Sequence, residues 1–352
     1  MKTANIRMIP LEDAVGQVLC HDMTRIVKGE MKGPQFRKGH IIQKEDIPML
    51  LSMGKEQIYV WEKPEGFLHE DEAAEALALL CGGENINRKG PKEGKIELFA
   101  QCDGLFQYDG DILNRINEIE DLVIAARHNN TAVKAGDKLA GMKAIPLALD
   151  EDKLKQASEI RGDRPLMNVL PYRLKSAAVI TTGSEVARGL TRDTFTPVIA
   201  EKLAAYGIEI TKHITVADSI DSITEAIAEA RLGTEDRGSP PDMILCTGGM
   251  SVDPDDKTPG AIKKSGAALV SYGAPIFPGA MFLLAYFENG VPIMGIPGCV
   301  MFSAVTIFDI FLPRIAAGQR LTKSDFTRLG AGGLCLSCPV CHYPVCPFGK
   351  TL

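Results

Sequence analysis

The stretch DMILCTGGMSVDPDDKTPGAI, residues 242–262, runs from an apolar strand into a double glycine, then through acidic and hydroxyl side chains to a helix start. Asp253, Asp255 and Asp256 stand within four residues of one another, just after glycines of the kind that cradle phosphate. Like charges repel, so the loop is either a solvated turn or a place where a divalent cation sits between carboxylates and an anionic ligand. Thr258 is a candidate N-cap for the following helix, with Pro259 at its first position. The flanking segments decide how the loop is used.

From residue 174 the chain alternates strand and helix, the signature of a parallel α/β sheet. KSAAVITTG (175–183) reads as a buried strand, IEITKHITVA (208–217) as a second, DMILCTGG as a third and VPIMGIPG (291–298) as a later one. Thr196 before Pro197 predicts one helix start, and Ser222 with Glu225 has the spacing of a capping box. In such a sheet the ligand lies beyond the carboxyl ends of the strands. Thr182, Gly183, Ser184 and Glu185 follow the first strand, and Asp218 follows the second. Thr247, Gly248, Gly249 and Ser251 belong to the third strand end, and Pro297 and Gly298 to the later one. Asp218 and Asp256, on neighbouring strand ends, form a pair suited to Mg²⁺, which takes one or two carboxylates plus phosphate oxygens and water. Asp253 and Asp255 stay open between that role and simple solvation.

ITTGSEV, VADSIDSI, CTGGMSVDPDDKTPGAI, FPGAMF and GIPGCV together resemble the molybdopterin-binding domain of molybdenum cofactor biosynthesis proteins, over residues 174–320. The resemblance implies a three-layer αβα domain that binds molybdopterin. Of the two enzymatic branches sharing this domain, one adenylylates molybdopterin and the other inserts molybdate into the product, with Mg²⁺ and release of AMP. GGMSV and the Pro-Gly pairs at 278–279 and 297–298 resemble the insertase, which makes Mg²⁺-dependent molybdate insertion the expected activity. Asp255-Asp256-Lys257-Thr258 instead resembles the adenylylating branch and the related competence-damage domain, and Ser184 stands where the insertase pattern usually has Asp. An adenylyltransferase, a nucleotide pyrophosphatase and a non-catalytic carrier or sensor are the alternatives. On the family pattern Asp218 and Asp256 are catalytic, and Thr182, Gly183, Ser184, Glu185, Thr247, Gly248, Gly249, Ser251, Thr258, Pro297 and Gly298 bind substrate. Expected partners are nucleotide or molybdate, a second copy in a homodimer, and a molybdoenzyme or another cofactor-assembly protein.

Ahead of this domain, residues 1–70 predict an α+β segment, with a helix in KEDIPMLLSMG and a strand QIYVWE. Residues 71–160 predict a small β-rich module of short runs between glycine turns, opened by a helix over 70–82. GHIIQKEDIPMLLSMGKEQIYVW and VKAGDKLAGMKAIPL are loosely similar to accessory segments of the insertase branch. The 352 residues, 45% apolar and 24% charged, suffice for two or three packed domains. A net charge of −6 argues against a nucleic-acid binder. The absence of a signal-like start or a long apolar run predicts a cytoplasmic protein without membrane association.

Four of the nine cysteines crowd the tail at 331–352, as Cys335-x2-Cys338-x2-Cys341-x4-Cys346-Pro347. That spacing suits a structural Zn²⁺, with His342 as an alternative ligand, or an iron–sulfur cluster. LTKSDFTRLGAGG (321–333) reads as a linker, which predicts that the tail is a separable module.

Overall fold

A computed structural model describes residues 6–27, 31–61, 65–92, 94–232, 239–251, 253 and 256–350. Asp255 lies outside them. The chain divides into two compact units, one of Met1–Cys102, Phe106–Asn129 and Val133–Val169, the other of Asp103–Leu105, Asn130–Ala132 and Leu170–Leu352.

The first unit holds two apolar cores. One gathers Leu11, Leu19, Ile42, Leu50 and Ile58, around the helix Ile47–Ser52 and the strand Gln57–Trp61. The other lies where the helix Glu70–Cys81 packs on an antiparallel sheet of Ile86–Lys92, Lys95–Ala100, Lys138–Ala144 and Leu122–Ala126. Two further helices, Gly110–Asn117 and Glu151–Arg161, stand where the sequence reads mainly as β. Asp109 and Asp150 start them, each accepting backbone N–H groups of the first turn.

The second unit is a six-stranded sheet with helices on both faces. Its strands are β1 (Ser176–Thr182), β2 (Glu209–Val216), β3 (Met243–Thr247), β4 (Ala268–Tyr272), β5 (Leu283–Tyr286) and β6 (Pro292–Ile296). They lie in the order β2-β1-β3-β6-β5-β4. β2, β1, β3 and β6 run parallel, while β5 runs antiparallel to both β6 and β4, a reversal that the apolar pattern alone does not reveal. Burial on both sides explains why β1, β3 and β6 read as unbroken apolar runs. Successive residues nevertheless feed different cores. Ala177, Val179, Met243, Leu245 and Met294 join one, while Ala178, Ile180, Ile244, Cys246 and Ile293 join the other.

The first of these cores is covered by α1 (Phe195–Ala204) and α4 (Ile307–Ala316), the second by α2 (Ile220–Arg231) and α3 (Thr258–Lys264). The helix starts differ from the sequence reading by up to three residues. Asp193 accepts the amides of Phe195 and Thr196, so α1 begins ahead of Thr196. Ser219, not Ser222, caps α2 by accepting the Ser222 amide. Thr258 is the first residue of α3 rather than its cap, and its hydroxyl is spent on the Gly248 carbonyl at 2.8 Å. No helix among the described residues is long and apolar enough to cross a membrane.

The linker reading of 321–333 is overturned. Residues Lys323–Thr327 form α5, closed by a reciprocal box in which Asp325 accepts the Thr322 amide at 2.7 Å. Phe326 is fully buried with its ring centroid 4.7 Å from that of Phe311, and Arg314 pairs with Asp325 at 2.6 Å. The tail then docks on the same core. The amide of Phe277 donates to Gly333 and that of Cys335 donates to Phe277, both at 2.8 Å. Phe348 is 3% exposed, and Tyr343, Cys335 and Cys346 pack against the core. Apolar burial on this scale, about 1.5–3 kcal/mol for each large side chain, ties the tail to the domain.

Candidate functional site

The chain leaves β1 toward β2 on one side and returns to β3 on the other, so the strand order reverses between β1 and β3. Helices from the two directions diverge there and leave a crevice at the carboxyl ends. Register aligns the rim. Thr182 pairs with Val216, Thr181 with Thr247, and Thr247 with Ile296, so Gly183, Asp218, Gly248 and Pro297 all emerge along one edge.

Two adjoining hollows open on this edge. One, of about 340 Å³, is lined by Thr182, Gly183, Glu185, Arg192, Asp193, Asp218 and Asp256 among others. The second, of about 480 Å³, is lined by Met250, Ser251, Met281, Pro297, Gly298 and Cys299. Phe195, Gly248, Gly249 and Asp256 border both, so the cleft is one site with two lobes. A larger cavity, about 680 Å³, lies in the first unit beside Cys20, Lys38 and His69.

The double glycine shapes the cleft by letting β1 and β3 close on each other. Gly248 has φ +86°, and a Cβ there would stand 2.4 Å from the Thr182 carbonyl oxygen. Gly249 has φ +55°, and a Cβ would meet the Thr258 hydroxyl at 3.0 Å. Both therefore serve backbone packing first. Gly298 is different, because nothing lies within 4 Å of where its Cβ would be. That open face allows a ligand to approach the backbone.

Four carboxylates stand around the first lobe, and their partners differ. Asp218 accepts the Ser184 amide at 2.9 Å, and the Asp218 amide donates in turn to the Ser184 hydroxyl at 3.4 Å, clasping the ends of β1 and β2. Asp193 accepts the hydroxyl of Thr181 at 2.9 Å as well as that of Thr196, and lies 3.1 Å from His213 Nε2. Burial alone would raise the Asp193 carboxyl, but donors from Thr196, Thr181 and Phe195 outweigh it and hold it below the usual carboxylate range. Asp256 Oδ2 is buried and has no hydrogen-bond partner among the described residues. Its charge is felt by Tyr272, whose hydroxyl is pushed up by burial and by the Asp256 carboxylate. Tyr272 donates to the Met250 carbonyl at 3.1 Å, which fixes the loop leaving the double glycine.

Thus Thr182, Gly183, Glu185, Asp218, Gly248, Gly249, Ser251, Asp256, Pro297 and Gly298 all line the cleft. Ser184 acts on it through Asp218. Thr247 and Thr258 are fully buried and line neither lobe, their hydroxyls being donated to the carbonyls of Ile180 and Gly248. Asp193, His213 and Arg192 were not singled out from the sequence. The signal for Asp193 was its place two residues before Phe195, where an aspartate accepts first-turn amides. Nothing in one sequence brings His213, in mid-strand, to that carboxylate.

Solved structures include a tungsten cofactor synthesizing protein MoaB from Pyrococcus furiosus, 20% identical with a TM-score of 0.33, covering 42% of this chain and 99% of that one. Among curated proteins, a CinA-like protein of Fusobacterium nucleatum is 36% identical over 88 residues, 25% of this chain and 20% of its own. A "Probable FAD synthase" of Caenorhabditis briggsae is 32% identical over 88 residues, 25% of this chain and 16% of its own. The chain spans about a fifth or less of the length of these curated relatives. Residues 8–62 match a family described as "Domain of unknown function (DUF8806)". Residues 178–317, nearly the span of the sequence resemblance and the segment that builds the cleft, match the family described as "Probable molybdopterin binding domain".

Proposed function

We propose that the two-lobed cleft binds molybdopterin in its adenylylated form and that the chain inserts molybdate into it, releasing AMP, with Mg²⁺ held by Asp218 and Asp256. The observation that carries this reading is the buried, unpartnered Asp256 Oδ2 on a lobe shared with Asp218. A covered carboxylate oxygen that receives no donor from the protein is satisfied when a cation meets it. Two carboxylates suit Mg²⁺, which completes its shell with phosphate oxygens and water. When bound, Mg²⁺ supplies charge neutralisation at phosphate oxygens.

The chain's own groups do the rest. The Ser184 amide orients Asp218, and Tyr272 steadies the loop that presents Ser251. The open face of Gly298 admits a phosphate oxygen to the backbone, and the two lobes hold the two ends of an adenylylated pterin. Ser184 offers a hydroxyl where the insertase pattern has a carboxylate, so the metal rests on two acids.

A second reading, hydrolysis or transfer at a nucleotide pyrophosphate, is favoured by the run Asp256-Lys257-Thr258 and by relatives named as CinA-like and FAD synthase proteins. One assay separates them. Purified chain, adenylylated molybdopterin and Mg²⁺ are mixed with or without molybdate, and AMP is followed. Release that depends on molybdate supports insertion. Release without it supports the pyrophosphatase, and binding with no release at all leaves a carrier.

A further inference from the structure

The first lobe of the cleft carries one charge that the paired carboxylates leave unused. Glu185, Arg192, Asp193, Asp218 and Asp256 all line it, and among the described residues Arg192 is the only basic one lining either lobe. Arg192 is exposed and makes no ion pair or side-chain hydrogen bond with the described residues. Asp256 Oδ2, on the same lobe, has no partner among them either. An acid and a guanidinium that share a lobe without pairing are satisfied together when a cation meets the acid and an anion meets the base.

The neighbour of Arg192 fixes its place. Asp193 accepts the Thr181 hydroxyl at 2.9 Å and the Phe195 amide at 2.8 Å, and lies 3.1 Å from His213 Nε2. Those partners belong to β1, α1 and β2, so the backbone beside Arg192 is tied to three elements of the domain. Asp193 also takes the amides of Phe195 and Thr196, which closes the start of α1 to an incoming anion. The charge of an anion in this lobe therefore falls to a side chain. A guanidinium presents its N–H donors as a planar fork that matches two oxygens of a tetrahedral oxyanion. We propose that Arg192 binds such an oxyanion in the first lobe, an inference that rests on the metal-holding cleft proposed above. The oxyanion is a phosphate of the ligand or molybdate, which share that shape.

The test titrates AMP, molybdate and adenylylated molybdopterin, each with Mg²⁺, into the full chain and into Arg192→Gln and Arg188→Gln. Arg188 is also exposed but lines neither lobe, so its variant removes the same charge without the contact. Arg192→Gln should weaken at least one probe by about tenfold or more, and Arg188→Gln should stay within about twofold of wild type. Circular dichroism should be unchanged in both. A loss seen with AMP or the adenylylated pterin places a phosphate at Arg192, and a loss seen with molybdate alone places molybdate there. If adenylylated molybdopterin fails to bind wild type while AMP or molybdate still depends on Arg192, the pterin reading falls and the oxyanion site stands. Unchanged affinity of Arg192→Gln for every probe would overturn the proposal. So would equal losses in the two variants, or a wild type that binds none of the three.

Discussion

The cleft at the strand ends draws its lining from strand ends far apart in sequence, whereas the four cysteines of the tail cavity are close in sequence, and the two are built in different ways. The cleft takes its shape from strand register. Once β1, β2, β3 and β6 pair, Thr182, Asp218, Gly248 and Pro297 must share an edge, and their side chains need little further help. The tail has no described helix or strand beyond α5 and the short turn that follows it, and hangs on anchors such as Phe348 and Tyr343. A site framed by a sheet tolerates changes in its lining but not in its backbone. A site framed by docking depends on the anchors.

That contrast can be broken most severely at Gly248. Gly248→Ala combines a positive φ with a Cβ driven onto the Thr182 carbonyl, and should cost on the order of 4 kcal/mol. Urea unfolding of the variant checks this, and a loss below about 1 kcal/mol would mean that β1 and β3 are not so tightly closed. Phe348→Ala comes next, at about 3 kcal/mol for an aromatic lost from a core, or roughly 6–12 °C in melting temperature. A separable tail would show no shift at all in calorimetry.

Asp193→Ala removes the acceptor that starts α1 and should cost about 1 kcal/mol. Because the folded Asp193 carboxyl lies below its unfolded value, its contribution is present above the usual carboxylate range and is lost as pH falls through the lowered value. The wild-type and variant unfolding curves should therefore converge on acidification, and equal separation down to the acid limit would discount the network. Smallest of all for stability is Gly298→Ala, expected within about 0.5 kcal/mol of wild type. Its effect should appear in binding of the adenylylated pterin, which a Cβ in that open space obstructs.

Much of the cleft was legible in the sequence because parallel strands buried on both faces leave continuous apolar runs, and glycines and acids follow them directly. The reversed strand β5 and its pairing with β4 were not, since LLAY and ALVSY carry no mark of direction. The part played by Gly248 was half legible. The sequence points to a phosphate cradle, whereas the glycine lets two strands approach, and only the atoms packed around it reveal which. Thr258 likewise reads as a cap because its hydroxyl precedes Pro259, but that hydroxyl is bound to Gly248. The tail was misjudged for a related reason. Glycines and polar residues around Phe326 suggest a linker, yet Gly333 is there because a Cβ would stand 2.4 Å from the carbonyls of Leu329 and Pro275. Close packing and chain mobility select the same residue.

The central claim is that Asp256 waits for a cation that an anionic ligand brings into the cleft. It is tested most directly by calorimetric titration of adenylylated molybdopterin into wild type and Asp256→Asn, each with and without Mg²⁺. The wild type should bind at least about tenfold more tightly with Mg²⁺, a gain of roughly 1.4 kcal/mol, and the variant should show no such gain. An undiminished Mg²⁺ dependence in Asp256→Asn would contradict the account.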